Sequence, residues 1–176
     1  RFWAPAGSDL VYPGMFEALL TLLSTALLHG DWFHVIVNSL VLLQFGIPVA
    51  RALGTDITGA GAWMLLFVAS IIVGSAAYLA IQDAGAGAAV GAAGGTSGHI
   101  AAAFLLDPYT GRKRTLWDRN FLVLTGVFAA INVLLVYAGP LLLGMGIAWE
   151  AHVGGYVAGA LLMSILPMRG LSAPQS

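Results

Sequence analysis

One serine and one histidine in this chain have neighbours that favour chemistry. Ser97 lies in the segment Gly94-Gly95-Thr96-Ser97-Gly98, and His152 lies in the segment Ala151-His152-Val153-Gly154-Gly155. A serine hydroxyl is a weak nucleophile until a base within hydrogen-bond reach takes its proton. Glycines allow a substrate backbone to approach closely, and backbone N–H groups at a helix start can stabilise an oxyanion. The two segments predict nucleophilic catalysis, with Ser97 as nucleophile and His152 as general base.

A second polar cluster lies earlier in the chain, between His29 and Asn38. His34 and Asn38 are four residues apart, so on a helix they share one face and converge on the same space. In isolation such a pair is more typical of hydrogen bonding between helices than of catalysis. His99 lies two residues after Ser97 and points nearly away from it on a helix, so we expect it to serve packing.

The composition shows that these residues belong to a membrane protein. The 176 residues are 59% hydrophobic and only 9% charged, against roughly 25% charged in an average soluble chain. Apolar runs of about 20 residues match the thickness of a hydrocarbon core. The chain has no cysteine, which excludes disulfides and thiolate catalysis. A formal net charge of −1 and the lack of a long basic run argue against a nucleic-acid partner.

The pattern of apolar runs predicts an all-α transmembrane bundle with five spans. These cover about 32–50, 59–81, 97–106, 121–137 and 149–166. The third run is too short to cross lipid at 1.5 Å per residue. It is therefore expected to lie inside a shell of other helices.

The charges predict which end of each span faces the cytoplasm. Basic residues follow the first, third and fifth spans, at Arg51, in the loop 112–119 and at Arg169. By the positive-inside rule that side is cytoplasmic, which directs the polar clusters to the outer side. Small residues on the third and fifth spans, Gly98 with Ala102 and Gly155 with Gly159, predict close helix packing. That packing would bring His152 towards Ser97, with no carboxylate to orient the imidazole, so we expect a dyad.

The order of these motifs resembles that of rhomboid intramembrane proteases. It reads His-x₄-His-x₃-Asn from His29, then Gly-x-Ser-Gly at Ser97, then Ala-His-x₂-Gly-x₃-Gly at His152. The resemblance implies that Ser97 and His152 are catalytic. It also implies that Asn38, His34 and the N–H of Ser97, in its Gly95-x-Ser97-Gly98 setting, bind the oxyanion. His29 would support the cavity entrance.

The resemblance also carries expectations about fold, substrate and location. Members have six core helices around a water-filled cavity open to the outside. They cleave single-span membrane proteins near the outer boundary, without metal or other cofactor. We therefore expect single-span substrates and membrane lipid as partners. The compact, Gly/Ala-rich chain is typical of a multi-pass protein of a bacterial inner membrane.

The chain departs from the family pattern at its beginning, where no counterpart of the first family helix precedes Arg1. We interpret residues 1–30 as the tail of an external loop with an interfacial segment. Residues 31–170 are then the membrane domain, and 171–176 a cytoplasmic tail. Ala101 stands one turn after Ser97, where some members place an aromatic that packs on the catalytic histidine.

Three other functions remain open at this point. The first is a catalytically silent relative that binds membrane proteins without cutting them. The second is a small transporter with a histidine relay, which predicts paired ionisable groups through both leaflets. The third is a metal-dependent hydrolase using His29, His34 and His152, although no carboxylate stands at ligand spacing.

Overall fold

Five α-helices make up nearly all of the described structure. The computed structural model describes Phe16, Leu20 and the ranges 23–81, 91–143 and 146–170. The helices are α1 (Trp32–Leu53), α2 (Ile57–Ile81), α3 (Ala93–Phe104), α4 (Arg119–Leu143) and α5 (Trp149–Ile165). Within these ranges there is no strand beyond an isolated bridge between Leu106 and Lys113. The all-α prediction is confirmed. Most of the predicted external segment 1–30, and all of the tail 171–176, lie outside the described residues.

Three of the described helices, α1, α2 and α4, are long and apolar enough to cross a membrane alone. The helix α3 has 12 residues, which gives about 18 Å at 1.5 Å per residue. The helix α5 has 17 residues, or about 26 Å. The expectation of a short third helix shielded by others is confirmed, because eight of the residues of α3 are buried. Its backbone is therefore covered by protein rather than lipid.

The start of α1 follows from an N-cap at Asp31. The Asp31 side chain accepts a hydrogen bond of 2.8 Å from the backbone N–H of His34. Acidic N-caps stabilise a helix start because they satisfy an N–H that has no partner within the helix. The cap places His34 in the first turn and Asn38 one turn below it. Sequence-local chemistry therefore sets the position of both polar groups.

Glycine contacts bring α3 and α5 together along parallel paths. A Cβ at Gly155 would clash with the backbone of Gly94, and a Cβ at Gly159 would clash with the backbone of Gly98. The predicted small-residue faces are confirmed at Gly98, Gly155 and Gly159, whereas Gly94 was not part of the predicted face. On the other side of α3, a Cβ at Gly94 would lie 3.0 Å from the Ser70 carbonyl oxygen of α2. The three helices thus approach at backbone distance.

Basic side chains cap two helices at the opposite end from Ser97. Lys113 Nζ donates to the carbonyls of Met163 (3.1 Å) and Leu166 (2.9 Å), at the end of α5. Arg114 donates to the carbonyls of Phe104 and Leu106, at the end of α3. Cations at a helix C-terminus satisfy free carbonyls and oppose the helix dipole. These residues therefore stabilise helix ends, whereas the sequence indicated only that they predict a cytoplasmic side.

Candidate functional site

Ser97 is buried in the second turn of α3, close to the outer end of the bundle. The helix begins at Ala93, four residues earlier than predicted, so Ser97 does not stand at the helix start. The early turn is accommodated because Gly94 and Gly95 leave room for Ser70 and Phe67 of α2. Thr96 N–H already bonds to the Ala92 carbonyl.

The earlier start changes which backbone donors are free. In an α-helix the N–H of Ser97 pairs with the carbonyl of Ala93. The N–H groups without an acceptor inside the helix are those of Ala93, Gly94 and Gly95. The N–H expected at Ser97 is therefore engaged, and free donors lie in the turn before it. Gly95 keeps its place among the candidates for binding an oxyanion.

His152 reaches the same region from α5. It lies one turn before Gly155. The carbonyl oxygen of Gly155 would lie 3.1 Å from a Cβ on Gly98, and Gly98 directly follows Ser97. Among the described residues the Ser97 hydroxyl makes no hydrogen bond. Hydrogen bonds between catalytic groups are often long without substrate, so the arrangement is compatible with a nucleophile and its base.

Asn132, which the sequence analysis did not select, contacts His152 directly. Its Oδ1 atom lies 2.7 Å from His152 Nδ1. Asn132 is 5% exposed, within the otherwise apolar run of α4. The general rule that a polar residue inside a span is a functional candidate would have found it. The motif order did not include it.

Asn38 turns its amide towards the start of α3. Its Oδ1 accepts a hydrogen bond of 3.4 Å from Thr96 Oγ1, a hydroxyl that also donates to the Ala93 carbonyl at 3.0 Å. Its Nδ2 is buried and has no partner among the described residues. Buried amide donors are almost always satisfied in folded proteins. An unpaired donor beside the residue that precedes Ser97 is what an oxyanion site requires.

His34 and His29 lie together at the start of α1, beside Asn38. Their rings form an edge-to-face pair with centroids 5.1 Å apart. A Cβ on Gly91 would lie 2.6 Å from His34 Cε1 and 3.4 Å from Asn38 Nδ2, and Gly91 has a φ of +107°. Only glycine adopts this backbone without cost and leaves that space open. The segment before α3 therefore packs directly on the His34 imidazole.

Two other ionisable residues lie apart from this cluster. His99 is enclosed by Trp63 and Phe67, with ring centroids at 4.4 and 5.8 Å, and its Nδ1 bonds the Gly95 carbonyl at 3.0 Å. This agrees with the predicted packing role. Glu150, expected at the rim, is only 2% exposed and lies near Tyr78. The sequence showed its distance from the span end but not the cover that α2 provides.

No group of three His, Cys, Asp or Glu side chains in the described part of the chain could hold a metal ion. His29, His34 and His152 therefore do not form such a group, although the rings of His29 and His34 are in contact. The cluster instead offers a hydroxyl, an imidazole and an unpaired amide. That set fits acyl transfer through a serine.

Comparison with known proteins finds a family whose model matches this chain. The family model described as Rhomboid domain matches residues 17–169, which is most of the chain. Uncharacterized proteins of Mycobacterium tuberculosis and Mycobacterium bovis are 26% identical over 182 residues, covering 94% of this chain. The chain spans 64% of the length of these relatives. No solved structure matches it significantly.

Proposed function

Since this chain belongs to the rhomboid family, whose members are generally serine intramembrane proteases, we propose that it is an intramembrane serine endopeptidase. Ser97 is the nucleophile and His152 the general base of a dyad. The observation that carries the proposal is the glycine packing of α3 on α5. It packs Gly155, one turn after His152, against Gly94 and Gly98 on either side of Ser97, and the unpaired Asn38 amide lies beside Thr96.

The reaction follows from the chemistry of these groups. His152 Nε2 takes the proton of Ser97 Oγ as that oxygen attacks a substrate carbonyl carbon. The imidazolium then gives this proton to the leaving amine, the C–N bond breaks, and an acyl-serine ester remains. Water, deprotonated by the same imidazole, hydrolyses the ester and restores Ser97.

The negative oxygen of the tetrahedral intermediate needs donors that are in place beforehand. Asn38 Nδ2 is one, because it is buried without a partner among the described residues and the amide lies beside Thr96, next to Ser97. His34 and the free N–H groups at the start of α3, including that of Gly95, are the others. Fixed donors in a site that excludes bulk water stabilise such charge strongly, because no solvent has to reorganise.

The substrates are single-span membrane proteins, cut near the outer membrane boundary. An extended segment is needed because a regular helix hides its carbonyls in hydrogen bonds. Helix-breaking residues near the cut should therefore favour cleavage. We place the protein in a bacterial inner membrane as a multi-pass protein, which is compatible with its mycobacterial relatives.

A fluorescent fluorophosphonate tests the proposal. In detergent, the wild type should be labelled, whereas Ser97→Ala and His152→Ala should not, because the first lacks the nucleophile and the second lacks its base. Ser39→Ala is a matched control, because that hydroxyl is bonded to the Val35 carbonyl and exposed. It should be labelled like the wild type.

The outcomes separate this proposal from its competitors. A folded wild type that takes no label contradicts the protease and favours a catalytically silent binder. A transporter with a histidine relay predicts proton flux in vesicles that His152→Ala abolishes, with no labelling of Ser97. In the described residues His99, below the cluster, is enclosed by aromatic rings rather than linked to further ionisable groups, which does not favour a relay.

A further inference from the structure

We infer that Asn132 is a positioning residue that holds His152 in the tautomer and orientation needed for a base. The inference rests on the proposed function, because it assigns a partner to the base of that dyad. The sequence indicated no carboxylate that could orient the His152 imidazole, and Asn132 is inferred to orient it instead. The two atoms concerned, Asn132 Oδ1 and His152 Nδ1, are 2.7 Å apart.

The orientation of the Asn132 amide is set by its own helix. Asn132 Nδ2 donates to the carbonyl of Phe128, one turn earlier, at 2.9 Å. The oxygen must then point away from the helix backbone, towards α5. An amide oxygen can only accept, so it requires a proton on His152 Nδ1.

The proton on Nδ1 decides what the other ring nitrogen can do. In a neutral imidazole one nitrogen carries the proton and the other carries a lone pair. With Nδ1 protonated, Nε2 is the acceptor and can take the proton of a serine hydroxyl. The opposite tautomer would present an N–H to Ser97 and could not act as its base. Asn132 therefore selects the competent form.

The hydrogen bond between Asn132 and His152 also joins α4 to the site, although most of the surface of α4 faces away from the bundle. Many large side chains of α4 are exposed: Leu122, Val123, Val127, Ile131, Val133, Leu134 and Tyr137. One turn below His152, Tyr156 meets the same helix, with its hydroxyl 2.7 Å from Thr125 Oγ1 and its ring stacked on Phe128. Two successive turns of α5 thus lie against α4.

The tautomer can be measured directly by ¹⁵N NMR of histidine-labelled protein in detergent. The His152 signals are identified by their loss in His152→Gln. At mildly alkaline pH, wild-type His152 should show a protonated Nδ1 and an unprotonated Nε2. In Asn132→Leu, which has similar size but no acceptor, the signals should move towards a mixture of tautomers.

Labelling rates with the fluorophosphonate give the functional readout. We expect Asn132→Leu to lower the rate about tenfold. Loss of a general base itself is expected to lower it by roughly 10²–10⁴. Asn132→Asp keeps an acceptor and should recover most of the rate. Thr125→Val removes the neighbouring bond to Tyr156 without touching His152, and should label like the wild type.

Three results would overturn the inference. They are an Nε2–H tautomer in the wild type, an unchanged tautomer and rate in folded Asn132→Leu, and equal losses in Asn132→Leu and Thr125→Val. The wild-type spectrum decides even when a variant fails to fold. If the tautomer behaves as expected but the wild type takes no label, the positioning role stands and the protease proposal fails.

Discussion

The polar side chains around Ser97 differ in how fully they are satisfied. Asn38 Nδ2 and His34 Nδ1 are buried without partners among the described residues, as is His99 Nε2, whereas His99 Nδ1 and Thr96 Oγ1 have backbone carbonyls close by. An unpaired buried donor costs about 1–3 kcal/mol of folding free energy. Such a cost at two neighbouring groups is explained if a substrate oxygen pairs with them during the reaction.

Asn38 gives the sharpest test of this explanation. Asn38→Ala should lower kcat about 10²- to 10³-fold, the usual loss for one oxyanion donor. KM should change little, because the donor is needed mainly when the carbonyl oxygen becomes negative. Removal of the unpaired donor relieves its desolvation cost, so thermal stability should be equal to that of the wild type or higher. Steady-state cleavage of a single-span substrate, with a melting curve in detergent, measures both.

The matched control for Asn38→Ala is Ser39→Ala, which changes the next residue on an exposed face. If both variants turn over substrate at the wild-type rate, Asn38 does not belong to the oxyanion site. If Asn38→Ala instead melts far below the wild type, its role is structural.

At the scale of helices, the site depends on how closely α2, α3 and α5 approach. Glycines at the contact points leave no side chain between the backbones, and membrane helices associate through such faces. The same contacts fix the depth of His152 relative to Ser97. The same residues therefore determine both the packing of the helices and the geometry of the proposed dyad.

Gly155→Ala tests this connection. A Cβ there would lie 2.7 Å from the Gly94 Cα and carbonyl carbon, which are backbone atoms that cannot rotate away. We expect a loss of about 1–3 kcal/mol in stability, as for other overpacked sites. Fluorophosphonate labelling should fall as well, because α5 is pushed away from Ser97.

Gly61→Ala is the control for this substitution. It introduces the same methyl group into α2, where nothing lies within 4 Å. Helix propensity alone favours alanine over glycine by about 1 kcal/mol, so this variant should be as stable as the wild type or slightly more so. Equal melting temperatures for the two variants would show that the α3–α5 approach is not tight.

At the scale of the whole molecule, charge and packing agree on orientation. The end opposite Ser97 carries Lys113 and Arg114, which cap helix ends, and the Arg169–Asp56 ion pair of 3.2 Å. The loop between α3 and α4 is held by Asp107, whose pKa is lowered chiefly by the backbone N–H of Thr110. These features form an ordered basic end that suits the cytoplasmic side.

Single cysteines can test the sidedness, because the chain has none of its own. Tyr109→Cys and Leu27→Cys place thiols at positions that are 94% and 82% exposed, at opposite ends of the bundle. In intact cells, a membrane-impermeant maleimide should modify Leu27→Cys only. Inverted vesicles should show the reverse, and modification of both from one side would contradict the proposed topology.

Much of this protein could be read from the order of its residues. Length, apolar runs and basic loops determined a helical membrane bundle, because lipid requires every spanning backbone to be satisfied within a helix. The spacing of His34, Asn38, Ser97 and His152 indicated candidate residues for one chemistry, since residue type and helical period are local properties. The glycine faces were visible for the same reason.

Other features depended on which helices meet, and only the tertiary structure decided them. The role inferred for Asn132 depends on its hydrogen bond to His152 of α5, which lies 20 residues later in the sequence. Glu150 is buried although it lies near a helix end, and α3 begins at Ala93 because α2 accommodates Gly94 and Gly95. The pattern of residue types along the sequence indicates the periodicity of a single helix. It does not predict the distance between two helices, because that distance is set by the packing of all the side chains between them.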